Sequence, residues 1–471
     1  MAQGLGPGTW DQGSGIRSPE PGAGAQLWDF RPSGRERTGR EPSRALSLEP
    51  QALSQSTLHS LVHFSRRVPS DLAPNRFALA LARARQSPRR LIDLTVSNPT
   101  AVDLGYSQDL LEPLADPASL VYEPQPFGLP AAREAVAQDF ARRGVQVGAD
   151  RVLLTASTSE AYSILFKLLC DPGDRVLVPR PSYPLFEHLT RLDGVEADFY
   201  QLEYHGRWSV DPDSVGRAVT PQTRAILAVS PNNPTGSFLD GRDLTALAAI
   251  CAEHHLALIG DEVFADYPLV DRGPVPGHAN VGAAPGTPPG RPPGVLAATD
   301  ILTFSLGGLS KAVGLPQLKL GWVGVGGPDD LVVAALARLE VICDSYLSAG
   351  TPVQQAAGAL LARGAAVRAR IAARIQQNYQ ALVGRTAQYP SCAVLPVEGG
   401  WSAVIQVPAT QGEENLVVAL LEHDGVVAYP GYFFDFPREA FLVVSLLPVP
   451  GEFGTGVTRM LERASSSVHA D

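Results

Sequence analysis

Through the middle of the chain, short apolar runs alternate with longer stretches in which apolar residues recur every three or four positions. The runs are VLLT from Val152, VLVP from Val176, AILAV from Ala225, LALIG from Leu256, ILTFS from Ile301 and GWVGV from Gly321. They are continuous rather than alternating and rich in valine, isoleucine and leucine, which predicts strands buried on both faces. Between them, SEAYSILFKLL from Ser159 and GRDLTALAAICAEHH from Gly241 carry the helical period. Alternating β and α elements predict an α/β fold, a mostly parallel sheet with helices on both faces. From about Thr351 the texture changes. One long Ala/Arg-rich helical stretch over 352–382 precedes a strand in GGWSAVIQV from Gly399, a helix, a strand in FLVVSLL from Phe441 and a last helix. This part predicts a smaller α+β domain.

Two segments interrupt the alternation. Gly and Pro fill 15 of the first 50 positions and 13 of the 22 from Gly273 to Gly294. The first reads as a disordered extension, the second as a surface loop inserted in a folded domain. Charge narrows the partners: 38 basic against 48 acidic residues leave a net of −10. That argues against a nucleic-acid binder, whose affinity rests on basic clusters. No apolar run approaches the ~20 residues of a membrane span, and MAQGLGPGTWDQGSG lacks the basic and apolar regions of a signal peptide. Cys170, Cys251, Cys343 and Cys392 are scattered without ligand spacing, so neither a disulfide framework nor a metal site is expected. The expectation is a cytoplasmic protein that binds no membrane.

In an open α/β sheet, ligands bind beyond the carboxyl ends of the strands. Four such ends read Thr155-Ala-Ser-Thr-Ser159, Ser230-Pro-Asn-Asn-Pro-Thr-Gly236, Asp261-Glu-Val-Phe264 and Ser305-Leu-Gly-Gly-Leu-Ser-Lys311. Together they offer an anion nest at a helix start, an amide, a carboxylate that is costly to bury alone, and a lysine. The lysine is informative because only three of the 38 basic residues are lysine: Lys167, Lys311 and Lys319. An amine can form a Schiff base with an aldehyde, and arginine cannot replace it. Lys311 lies in an apolar, glycine-rich stretch, whereas Lys167, in SILFKLL, reads as a helix-surface residue.

In this order and spacing the residues resemble the aspartate-aminotransferase-like (class I/II) aminotransferases, which are fold-type I pyridoxal-phosphate enzymes. The motifs are Tyr122-x5-Gly128-x4-Arg133-Glu134, Pro181-Ser-Tyr183, Asn233-Pro-Thr-Gly236, Asp261-Glu-Val-Phe264 and Ser310-Lys311-x7-Lys319-Leu-Gly-Trp322. The resemblance implies a large cofactor domain over 106–345 and a small domain made of 346–471 with an N-terminal arm at 51–105. It implies that Lys311 holds pyridoxal 5'-phosphate as a Schiff base and then carries the proton. Asp261 would face the pyridinium nitrogen, and Asn233, rather than Asn232, the ring oxygen. Ser157, Thr158, Ser159 and Lys319 would hold the phosphate, and Tyr183 would stack on the ring. Tyr122 would reach the phosphate of the neighbouring subunit, which implies a homodimer with shared active sites. The implied reaction is amino transfer between an amino acid and a 2-oxo acid in a biosynthetic process. The alternative is another reaction of the same cofactor, such as a C–S β-lyase.

Four positions depart from that pattern. Lys319 stands for an arginine and loses its bidentate fork; Gly308 stands for a serine and Phe264 for a tyrosine. Val443, in FLVVS, takes the place of the arginine that grips the substrate carboxylate in relatives. Asn98, Trp401 and the region of Arg338 are the expected lining groups instead.

Overall fold

A computed structural model of the chain describes residues 63–269 and 294–466. The expectations for residues 1–50, and for all of 273–294 except Gly294, lie outside the described residues. In chain order the strands are β1 (Ile92–Asp93), β2 (Val152–Thr155), β3 (Arg175–Arg180), β4 (Glu196–Tyr204), β5 (Trp208–Val210), β6 (Thr223–Val229) and β7 (Ala257–Asp261). They continue with β8 (Thr303–Gly308), β9 (Gly321–Gly326), β10 (Ala393–Val394), β11 (Ser402–Gln406), β12 (Val426–Val427), β13 (Tyr429–Pro430) and β14 (Phe441–Ser445).

Eight strands form one sheet in the order β2-β9-β8-β7-β6-β3-β4-β5. From β8 to β4 it is parallel. β9 runs antiparallel between β2 and β8, and β5 antiparallel to β4. All six apolar runs are strands of this sheet. Both faces are covered, as period-two side chains require. Val176, Val178, Leu227, Ile259 and Phe304 pack towards the helices Thr158–Leu169 and Asp329–Asp344. Leu177, Ile226 and Leu258 turn the other way, towards Pro212–Ala218 and Gly241–His254.

The structure adds two strands that hydrophobic runs do not reveal. β4 reads EADFYQLEY and lies one strand from the sheet edge, with β5 as the edge itself. There, part of one face meets water, so polar residues interrupt the apolar run. The long helical stretch is also divided, into Thr351–Gln355, Ala357–Arg363 and Ala365–Thr386. At the second break, a Cβ on Gly364 would lie 2.5 Å from Val313 Cβ. Glycine there lets the helix junction close onto the segment that follows Lys311.

The C-terminal part builds an antiparallel sheet, β10-β11-β14-β13. The N-terminal segment joins it through β1, which pairs in parallel with β12. The last helix, Pro450–Ser466, buries Phe453, Val457, Met460 and Leu461 in the same cluster as Ile371, Ile375 and Leu382 of Ala365–Thr386. Among the described residues, no helix is long and apolar enough to cross a membrane.

Phe304 is fully buried on β8. Phe304→Ala should therefore cost about 3–5 kcal/mol of stability, read as a lower urea midpoint with an unchanged slope.

Candidate active site

Lys311 sits in the single helical turn Leu309–Ala312, directly after β8. Its Nζ lies 4.7 Å from the ring centroid of Trp401 and 5.5 Å from that of Phe264. These rings meet edge to face at 5.2 Å, and Tyr267 packs on Trp401 at the same distance. The Tyr267 hydroxyl donates to the Lys311 carbonyl at 2.5 Å, which pins the backbone under the amine. Burial pushes the Lys311 amine down to about 8, against the pull of Asp261. An ammonium loses hydration in such a place faster than ring faces replace it.

Trp401 arrives from the small sheet on a loop fastened at several points. Glu398 N and Gly399 N donate to Gly236 O, and Gly400 N donates to Tyr267 O. A Cβ on Gly399 would lie 2.6 Å from the Phe238 ring and 2.9 Å from Tyr267 O, so only glycine lets these segments converge. The Trp401 Nε1 is buried and has no hydrogen-bond partner among the described residues.

Asp261 ends β7. Its Oδ2 accepts from the Tyr162 hydroxyl at 2.8 Å and its Oδ1 from Val263 N at 3.2 Å. Burial raises the Asp261 carboxyl above the usual carboxylate range, while the Tyr162 and Val263 hydrogen bonds and Lys311 oppose that rise. Glu262 points elsewhere, accepting from Val295 N and Ser305 Oγ at 2.7 Å each, and so ties β8 to the segment before it. Tyr162 was not singled out in the sequence. The available signal was a hydroxyl-bearing aromatic on the apolar face of the helix that starts at the anion nest.

The two asparagines of SPNNPTG divide their work. Asn232 is buried, and its Nδ2 donates to Pro181 O at 3.1 Å and Thr235 Oγ1 at 2.9 Å. Asn233 accepts from Ser402 Oγ at 3.2 Å, and its amide nitrogen has no partner among the described residues.

Ser157 caps the helix Thr158–Leu169, its Oγ accepting from Glu160 N at 3.2 Å. Glu160 Oε2 closes the turn by accepting from Ala156 N at 2.6 Å. Gly321 pairs with Thr155, and a Cβ there would lie 2.9 Å from the Ser157 carbonyl carbon. Because β9 is antiparallel, its start lies at the edge where β2 and β8 end. Lys319, exposed and in a left-handed conformation at φ 50°, is thereby carried to the edge that holds Ser157, Thr158 and Ser159. The same crossing explains Gly308, where a Cβ would press to 3.0 Å from Leu320 O.

Tyr183 is 44% exposed, edge-on to Phe186, and burial together with the Asp261 charge raises its phenol. Tyr122 is not brought to Lys311; it is 72% exposed beside the exposed Leu120 and Val121. Asn98 caps a short turn by accepting from Thr100 N at 3.0 Å. Arg338 bonds to Ala334 O on an exposed helix face, apart from these strand ends. Val443 is buried in an apolar cluster with Val404, Phe434 and Phe441. Lys167 is on its helix surface, paired with Asp193.

Comparison with known proteins accords with this geometry. The family described as "Aminotransferase class I and II" matches residues 112–447. Glutamate-pyruvate aminotransferase AlaA of Haemophilus influenzae is 24% identical over 387 residues, covering 80% of this chain and 91% of that protein. An alanine aminotransferase of Mycobacterium tuberculosis is 24% identical over 391 residues, covering 80% of this chain and 86% of that one. Among solved structures, the alanine aminotransferase of Pyrococcus furiosus superposes with a TM-score of 0.73 at 22% identity, over 85% of this chain and 99% of that one. An aminotransferase from Escherichia coli also superposes at 0.73, with 21% identity, over 86% and 98%.

The depressed amine can be checked without any ligand. Amine acylation followed by peptide mass spectrometry should label Lys311 with a midpoint near pH 8, against about 10.4 for an ordinary lysine. Labelling should fail below that midpoint, where the amine is protonated, and saturate above it.

Proposed function

The chain belongs to the class I and II aminotransferases, which are pyridoxal-phosphate-dependent transaminases, and on that premise we propose that it exchanges the amino group of alanine or glutamate with pyruvate or 2-oxoglutarate. The observation that carries the site assignment is the partly buried Lys311 amine, held at the strand ends with Asp261 and Asn233. The substrate reading draws on the relatives named glutamate-pyruvate and alanine aminotransferase.

The residues present fit the cofactor. Gly321 leaves backbone room at the Ser157–Thr158 turn, where free N–H groups and the helix dipole attract a phosphate. Ser157, Thr158, Ser159 and Lys319 hold that phosphate in this reading. Asn233 has an uncommitted amide donor for the ring oxygen, and Asp261 supplies a carboxylate for the ring nitrogen. Tyr183 covers the ring. When bound, the cofactor supplies an electron sink that lets a proton leave the carbon bearing the amino group.

Lys311 does the proton work. An amine that titrates near 8 is both an acceptor and a donor at physiological pH, the condition for efficient general acid–base transfer. The aromatic walls of Trp401 and Phe264 keep water from the same position. Val443, buried among apolar side chains, offers the substrate carboxylate no donor.

Leu120, Val121 and Tyr122 form an exposed apolar strip that supports a homodimer, with Tyr122 reaching the partner subunit's phosphate site. Four free cysteines support a reducing, cytoplasmic setting for a biosynthetic transaminase.

Two outcomes test this reading. Mixing the cofactor-loaded protein with alanine should yield the pyridoxamine form and one equivalent of pyruvate, and Lys311→Ala should lose this turnover and the absorbance band of the Schiff base. Ammonia release from a thioether amino acid, with no pyridoxamine form, would instead indicate β-elimination.

A further inference from the structure

We infer that Tyr162 is a positioning residue for Asp261, its hydroxyl holding the carboxylate in place through the 2.8 Å bond to Oδ2. The inference rests on the reading that Asp261 faces the cofactor's ring nitrogen. Packing accounts for the Tyr162 ring but not for its hydroxyl. The ring stacks on Phe166 at 6.1 Å and meets Phe186 edge-on at 5.5 Å, and a phenylalanine would serve both contacts. Tyr162 is 2% exposed, and a hydroxyl buried there is costly unless it is bonded. Its one hydrogen bond among the described residues is to Asp261. Burial, reinforced by the Asp261 charge, drives the phenol well above its ordinary range, so it stays a donor at every physiological pH.

Placement along the helix strengthens the case. Thr158 opens the helix Thr158–Leu169 at the anion nest, and Tyr162 stands four residues later, about 6 Å along the axis. One rigid element therefore sets the spacing between the phosphate end of the site and its carboxylate end. A ligand with an anion at one end and a protonated ring nitrogen at the other meets two groups held by the same helix.

The groups that act on Asp261 are Tyr162, Val263 N–H, Lys311, Tyr183 and, although its carboxylate is turned to Val295 N and Ser305 Oγ, Glu262. Tyr162 and Val263 donate to the carboxylate, Lys311 attracts it, and Glu262 and burial oppose its charge. The ionised carboxylate pairs with a protonated ring nitrogen, and a hydrogen bond to that form favours it. Without the Tyr162 hydroxyl, the carboxyl takes up a proton at a higher pH, and affinity for the ring falls from that pH downward.

The test is the dissociation constant of pyridoxal 5'-phosphate for the cofactor-free protein, followed by tryptophan fluorescence from pH 5 to 9. The wild type, Tyr162→Phe, Asp261→Ala and the double variant are compared. Tyr162→Phe should weaken binding about tenfold near pH 7 and move the acid limb of the profile to higher pH. It should add nothing in the Asp261→Ala background. Replacing Tyr162 by 3-fluorotyrosine keeps the packing and sharpens the donor, and should move the limb to lower pH, which secures the test if the phenylalanine variant folds poorly. Wild-type affinity and profile in Tyr162→Phe, or an equal loss with and without Asp261, would overturn the inference. Unchanged binding by Asp261→Ala would instead overturn the reading of Asp261 itself, and the inference with it.

Discussion

The cost of placing a primary amine in a partly dry, aromatic surrounding organises the candidate site. Lys311 gains ring faces from Trp401 and Phe264, but these replace only part of the lost hydration, so the amine drops to about 8. That position exists only because two domains meet over it. Tyr267 clamps the lysine backbone from the β7 side, and the glycine pair before Trp401 brings in a ring from the small sheet. Gly364 lets the helix Ala365–Thr386 close behind the same segment. Together these contacts bring the titration of one amine down towards neutral pH.

Strand direction does the rest. In a sheet whose central strands are parallel, every carboxyl end opens on one edge, and Thr155, Asp261 and the Leu309–Ala312 turn share it. The antiparallel β9 begins at that edge instead of ending there, and so delivers Lys319 and Gly321 to it. The close approach of β9 to the Ser157 turn leaves no room for a side chain at Gly321, and its approach to β8 leaves only a tight place for one at Gly308. The lysine at 319 keeps the positive charge at the edge although it lacks the fork of an arginine.

Much of this was readable from one dimension. Six continuous apolar runs located the buried strands, because a strand covered on both faces needs apolar residues at every position. β4 and β5 escaped that criterion because they lie towards the open edge, where the requirement lapses. Lys311, Asp261, Asn233 and the Ser157–Ser159 turn could be placed because strand ends in such a sheet face one crevice. The choice of Asn233 over Asn232 rested on motif alignment. The structure adds that Asn232 commits its amide donors to Pro181 O and Thr235 Oγ1.

The sequence by itself determined the fold class, the order of the strand-end residues and the scarcity of amines that singles out Lys311. Each follows from composition or period, which act along the chain. Tertiary structure alone decided that Tyr162 reaches Asp261 across 99 residues of chain and that Trp401, from another domain, lies against the Lys311 amine. It also placed Val443 inside an apolar cluster. These are contacts between elements distant in sequence, and their energy depends on burial and direction. A linear pattern records neither until the sheet has been assembled.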